Sequence, residues 1–188
     1  FNAYTDREED SVNQPIRASQ LGEVGLENVV RVTIALYCLV VVFSSLLGPL
    51  FFALGLVAVL DSLLYSMPPF RFKRHWLTGM LSFTGVVSFS FLAGWTLAQP
   101  ITTLPPVFLL ASYFFFTYFS FKNIPDYIGD SRFGAKTLMT AAHGYEKGIK
   151  VSFLLLGSPY ALLAALVLLG FLDAAYLTSF SLLPVLIY

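Results

Sequence analysis

Residues 123–137 read NIPDYIGDSRFGAKT. The segments on either side read VFLLASYFFFTYFSF (107–121) and VSFLLLGSPYALLAALVLLGFL (151–172). Two carboxylates, Asp126 and Asp130, stand four residues apart, and two cations, Arg132 and Lys136, follow. A membrane helix needs ~20 apolar residues, with a range of ~17–25. With Pro105-Pro106 included the first flank reaches that range, and the second lies within it, so the charged stretch is in the connection between two spans. Charge of both signs is concentrated where the chain meets water.

Composition extends this reading to the whole chain. Its 188 residues are 57% hydrophobic and 12% charged, with a mean hydropathy of +0.75. A soluble domain carries about 25% charged residues. The expected fold is all-α, a multi-span transmembrane helical bundle forming one domain over residues 1–188. Spans are expected near Val30–Leu47, Leu50–Ser66, Thr78–Ala98, Pro105–Phe121 and Val151–Leu172. The apolar run Ala174–Tyr188 is expected to be a sixth helix cut off by the end of the chain. Gly48-Pro49 and residues 99–104 are the breaks between hairpin partners. The opening FNAYTDREED is polar and acidic, unlike a signal peptide. The single cysteine, Cys38, excludes a disulfide framework and reads as a small core residue.

Net charge is zero, so the overall balance names no acidic or basic partner, and nucleic acid is not expected. The distribution is informative. All Lys and Arg residues fall in Arg7–Arg31, Arg71–Arg74 and Lys122–Lys150, and two spans separate each region from the next. All three regions therefore lie on one side, which the positive-inside rule makes cytoplasmic or its organellar equivalent.

The N-terminus repeats the opening feature. NAYTDREED carries Asn2, Asp6 and Asp10, as NIPDYIGD carries Asn123, Asp126 and Asp130. Cations follow each, Arg17 in the first case and Arg132 and Lys136 in the second, and the pattern reads as an internal pseudo-repeat. Residues i and i+4 share a helix face, and two carboxylates so placed can hold a hard cation. Mg²⁺ takes one or two carboxylates, with water and phosphate oxygens filling the octahedron. Two such loops facing each other would bridge Mg²⁺ to one diphosphate, with Arg and Lys on the phosphate oxygens. The alternative is a pair of solvated acidic loops in which Asn2 and Asn123 are helix caps.

The middle loop, YSMPPFRFKRHW (65–76), ends a helix at Met67-Pro68-Pro69. It is either a positive-inside anchor with an interfacial Trp76 or a phosphate clamp. The alternation Arg71-x-Lys73 favours an extended segment that points both cations the same way. Asp61 lies inside a span near its polar end, so it is a functional candidate within reach of water. Tyr118 and Lys122 form a further i, i+4 pair. His75 and His143 lack metal-ligand spacing and read as surface residues. The many phenylalanines are lipid-facing or core, and a minority would wall a pocket for a long apolar chain.

Together these motifs resemble the UbiA family of intramembrane prenyltransferases. KNIPDYIGDSRFGAKTL resembles its second motif through Lys122, Asp126, Asp130, Arg132, Gly134 and Lys136. NAYTDREEDSVNQPIR resembles its first through Asn2, Asp6 and Asp10, with Pro15 and Arg17 beyond. YSMPPFRFK resembles a Tyr-Ser-x-Pro-Pro segment that some members carry between the two. Ala3 stands where the first motif usually has Asp, which shifts the load to Asp6 and Asp10. The resemblance implies a nine-helix fold, of which this chain would lack the N-terminal helices and the C-terminal end. It implies Mg²⁺-dependent transfer of an isoprenyl group from a prenyl diphosphate to an aromatic or lipid acceptor. Asn2, Asp6, Asp10, Asp126 and Asp130 would be the metal ligands. Arg17, Arg71, Lys73, Arg132 and Lys136 would bind diphosphate, and Asp126, Asp130, Tyr118 and Lys122 would serve catalysis. Two other classes compete. A multi-span cation transporter would place ionisable groups near the bilayer midplane, and a non-catalytic protein would bind prenyl diphosphate without turnover. A membrane enzyme moving phosphoalcohols would carry Asp-Gly and Ala-Arg elements, which are not found here.

Overall fold

A computed structural model describes residues 2–182. Among the described residues the secondary structure is helical and no strand forms. Three short helices open the chain: α1 (Asn2–Thr5), α2 (Arg7–Asn13) and α3 (Pro15–Val24). The spanning hairpin of α4 (Leu26–Leu46) and α5 (Pro49–Ser66) follows. A 3₁₀ turn at Phe72–Arg74 leads into α6 (Trp76–Ala98) and α7 (Val107–Lys122). The polar helices α8 (Tyr127–Arg132) and α9 (Leu138–Ala141) then lead to α10 (Tyr145–Leu168).

Four helices, α4, α5, α6 and α10, are long and apolar enough to cross a membrane, and α7 is an apolar helix of 16 residues. The result is an all-α membrane bundle. Each spanning helix packs on its neighbours in sequence, α4 on α5, α5 on α6, α6 on α7 and α7 on α10. Four of the five expected spans are thus present with shifted ends, and the fifth, Pro105–Phe121, is the shorter helix α7. The last begins at Tyr145, six residues before the apolar run, because Glu146, Lys147 and Lys150 ride on its first turns. It ends at Leu168. The expected sixth helix is instead a 3₁₀ segment over Ala174–Leu182, and residues 183–188 lie outside the described residues. Cys38 is exposed on α4, not in a core. With lipid as the solvent, an apolar side chain on the outer face has nothing to gain from burial.

The spans are stitched by polar side chains. Tyr37 Oη meets Ser62 Oγ at 2.7 Å between α4 and α5, and Ser82 Oγ donates to Asp61 Oδ1 at 2.7 Å between α5 and α6. Ser88 and Ser112 hydroxyls lie 2.9 Å apart between α6 and α7, and Tyr113 Oη lies 2.8 Å from Ser158 Oγ between α7 and α10. Each adjacent pair therefore has its own hydrogen bond, of a kind worth ~0.6 kcal/mol on average in a membrane.

Ser158 has a second task. Pro159 lies inside α10 and has no N–H for the carbonyl four residues back, that of Leu155. Ser158 Oγ donates to that oxygen at 2.7 Å. In hydrocarbon no water would replace the missing donor. Ser158→Ala should therefore cost about 1–3 kcal/mol, the penalty of an orphaned buried acceptor, measured by denaturant unfolding in mixed micelles. In a Pro159→Ala background, where the backbone N–H is restored, the same change should cost only the ~0.6 kcal/mol of the lost Tyr113 contact.

Candidate active site

The three polar regions meet at one end of the bundle. The N-terminal helices keep i to i−4 hydrogen bonds on either side of the break at Gln14-Pro15, with Asp6 N–H donating to Asn2 O, Asp10 to Asp6, Gln14 to Asp10 and Ala18 to Gln14. Residues 2, 6, 10, 13, 14 and 17 consequently share one face. From the other half, Lys122 and Asn123 end α7, Asp126 caps α8, and Asp130 lies one turn along it. The two faces line one cavity of about 90 Å³. Its wall holds Asn2, Asp6, Glu9, Asp10 and Arg17 from the first region, and Lys122, Asn123, Asp126, Asp130 and Thr137 from the second. Tyr65, Lys73, Arg74 and Phe119 complete it.

The faces are locked in register by Asn13, whose Oδ1 accepts the Gly129 N–H at 2.8 Å. Only glycine permits this approach, because a Cβ at position 129 would sit 2.6 Å from Asn13 Cγ. The loop to α5 is held as well, with Ser66 Oγ donating to Asn2 Oδ1 at 3.1 Å.

The middle loop supplies the cations. Arg71 Nη2 lies 3.5 Å from Asp6 Oδ1 and 3.4 Å from Glu9 Oε1. Lys73 Nζ contacts Asp6 and lies 3.5 Å from Glu9 Oε2, and Arg74 Nε is 3.8 Å from Glu9 Oε1. The expected extended segment does not form. Arg71 takes a left-handed conformation, φ +40°, and a 3₁₀ turn follows. That turn brings all three cations to the acidic helix, where an extended strand would have carried Arg74 to the opposite side.

The structure gathers Asn2, Asp6, Asp10, Arg17, Lys73, Lys122, Asp126 and Asp130 around the cavity, and it holds Arg71 behind Asp6 and Glu9. It leaves Arg132 and Lys136 outside. Both are exposed: Arg132 ends α8, and Lys136 follows the turn at Gly134, φ +70°. Tyr118 is not in the wall. It packs against Phe83, Phe114 and Phe121 in an aromatic layer that reaches the cavity through Phe119. Lys122 Nζ lies 5.4 Å from the Phe119 ring centroid. Glu9, Asn13 and Arg74 escape an analysis built on Asp pairs. The recurrence at 2, 6, 9, 10, 13 and 17 is the helical period that would have found the first two.

Charge is unevenly compensated. Asp6 and Glu9 are paired with three cations, and Asp10 Oδ2, 3.5 Å from Arg17 Nε, is buried without a hydrogen bond. Among the described residues neither Asp126 nor Asp130 forms an ion pair. Burial pushes the Asp130 carboxyl up to about 6, with Asp126 and Glu9 adding and the Thr137 hydrogen bond and Lys73 opposing. Burial also raises Asp10, against Arg17 and with Asp126. Lys73 is pushed down to about 8, by burial first and then by Arg74 and Lys122, while Asp130 and Asp126 oppose. The half-buried Asp126 and Asp130, without ion pairs among the described residues, and the orphaned Asp10 Oδ2 offer the carboxylate oxygen that a hard cation takes. No three His, Cys, Asp or Glu side chains among the described residues are close enough to chelate one unaided. The residues therefore fit Mg²⁺ held by carboxylates singly or in pairs, with other ligands from water or phosphate.

The sequence pattern of the UbiA prenyltransferase family matches residues 1–188. The chain belongs to the UbiA prenyltransferase family. It is 31% identical over 145 residues to the bacteriochlorophyll synthase 34 kDa chain of Chloroflexus aurantiacus, covering 73% of this chain and 45% of that one. It is 26% identical over 150 residues to the 2-acylphloroglucinol 4-prenyltransferase of Humulus lupulus, covering 74% and 36%. It is 28% identical over 189 residues to the digeranylgeranylglyceryl phosphate synthase of Ignicoccus hospitalis, covering 95% and 61%. The chain thus spans between 36% and 61% of the length of these UbiA-family relatives. No solved structure matches it.

Asp130 provides a test of the cavity's electrostatics. Its folded value, about 6, lies above the ordinary ~3.9 of an unfolded Asp. Between those pH values the folded state keeps a proton that the unfolded state has lost, so stability falls as pH rises from about 4 to about 6 and is then flat. In cation-free protein the Asp130 carboxyl carbon should titrate near pH 6 by NMR. Asp130→Asn should remove that downward step from the stability profile.

Proposed function

We propose that this protein transfers an isoprenyl group from a prenyl diphosphate to an aromatic or lipid acceptor, with Mg²⁺ bound at the carboxylate-lined cavity. The carrying observation is that two acidic segments from distant parts of the chain line a single cavity together with Arg17, Lys73, Arg74 and Lys122. Membership of the UbiA family and the printed activities of its relatives support the reaction class. Asp10, Asp126 and Asp130 would hold Mg²⁺ singly or in pairs, with Asp6 and Asn2 beside them and the other ligands from water or phosphate. Mg²⁺, when bound there, supplies the Lewis acidity and countercharge that make diphosphate a leaving group.

The chain's own residues do the rest. Lys73, Arg74, Arg17 and Lys122 would take up phosphate charge as the C–O bond breaks, in a water-poor cavity where such contacts are strong. Arg71, with Asp6 and Glu9, positions that group before substrate arrives. Below the charged wall, Tyr65, Phe83, Phe119 and Tyr118 present aromatic faces. They would flank the first isoprene unit as it becomes cation-like and keep out the water that would otherwise capture it. An apolar groove of about 800 Å³ between α4, α5 and α6, lined by Leu36, Phe43, Leu54 and Phe89 among others, offers hydrocarbon room deeper in the membrane. The distribution of Lys and Arg supports a cytoplasmic or equivalent facing for the polar end.

Membranes carrying the protein, incubated with radiolabelled prenyl diphosphates and a panel of aromatic and lipid acceptors, should form prenylated product only with Mg²⁺. Asp126→Ala should lower turnover by ~10²–10³-fold, the usual effect of losing one charge-stabilising element. Near-normal turnover in that variant would remove Asp126 from the site. Diphosphate binding without product under every condition would replace this reading with that of a binding protein.

A further inference from the structure

Arg132 and Lys136 follow the second acidic pair directly, yet the cavity does not use them. Lys136 lines a separate, open recess of about 660 Å³ with His75, Trp76, Ser131, Gly134 and His143. The recess is built on a backbone seam. Trp76 N–H donates to Lys136 O at 2.8 Å, and Lys136 N–H donates to Arg74 O at 2.6 Å. The seam fixes the main chain and leaves the Lys136 side chain exposed, with no ion pair among the described residues. His75 stacks on Trp76, ring centroids 6.2 Å apart and planes at 27°. The wall carries an ammonium, two imidazoles and the hydroxyls of Ser131 and Thr140, and no acid.

Depth in the membrane narrows the ligand. Trp76 is the first residue of the spanning helix α6 and is 37% exposed. Tryptophan in that position marks the headgroup level. Tyr145, exposed at the start of α10, borders the same level. Arg132, Lys147 and Lys150 are also exposed on this segment, and Glu146 is the one exposed acid among its described residues 131–150. The surface is thus basic, aromatic and laterally open at the depth where lipid phosphates lie.

We infer that this recess binds the headgroup of an anionic phospholipid, with Lys136 and His143 on the phosphate and the His75–Trp76 stack against the glycerol region. It lies outside the carboxylate cavity and does not rest on the reaction proposed above.

The test uses Trp76 as reporter. The chain has two tryptophans, and Trp95 is at the far end of α6, so Trp95→Phe leaves one. The protein is placed in phosphatidylcholine vesicles containing phosphatidylglycerol, with a nitroxide near the headgroup of one lipid or the other. Labelled phosphatidylglycerol should quench Trp76 in clear preference to labelled phosphatidylcholine. Lys136→Gln should reduce that preference about fivefold, the usual effect of one cation at an anionic surface, while Lys136→Arg retains it and circular dichroism stays unchanged. Equal quenching by the two lipids would overturn the proposal. So would an equal loss in Lys150→Gln, which would mean diffuse attraction, or displacement of labelled lipid by inorganic diphosphate, which would make the recess a station for soluble phosphate.

Discussion

Three cations of one short loop close on two carboxylates of one short helix, and the polar end of the molecule is organised around that contact. Asp6 and Glu9 come from the first residues of the chain, and Arg71, Lys73 and Arg74 from the connection between two hairpins. Removing such charges from water costs several kcal/mol per ion unless each finds a partner. The acidic helix can therefore lie against the bundle only where the loop supplies those partners. That places its remaining face, with Asp10 and Asn13, opposite α8, and the cavity is the space between them. The cluster also holds Lys73 and Arg74 at the cavity wall in advance, so little reorganisation is needed when an anion arrives.

A second constraint comes from the solvent on the outside. Lipid provides no hydrogen bonds, so polar groups within the spans find partners inside the bundle, with Asp61 Oδ2 a buried exception. The seams through Tyr37–Ser62, Asp61–Ser82, Ser88–Ser112 and Tyr113–Ser158 follow this rule, as does the repair of the Leu155 carbonyl beside Pro159. Hydroxyls suit the task because each can donate to a neighbouring helix or to its own backbone without carrying charge into hydrocarbon.

The bundle was legible in the sequence because hydropathy reports the length of a span directly. Its ends were less so. Glu146, Lys147 and Lys150 look like loop, but on the first turns of α10 they reach the headgroup region, and composition does not distinguish the two cases. The acidic pairs were legible from their spacing, since i and i+4 share a face in any helix. Their partners were not. That Arg74 meets Glu9, or that Asn13 meets Gly129, depends on how hairpins stack, and no local pattern encodes it. Arg132 and Lys136 follow Asp130 closely in sequence, yet in the structure both are exposed and neither lines the cavity, a placement that spacing alone does not encode.

The confinement of every lysine and arginine to one end has a consequence for traffic. A molecule with a phosphate head and a hydrocarbon tail is already sorted by the bilayer, head at one face and tail inward. Under the proposed function it would meet this protein by drifting sideways within a single leaflet, correctly oriented before any contact is made. The search would be two-dimensional, and the opposite leaflet, facing the uncharged turns at Gly48-Pro49 and residues 99–104, would take no part in it.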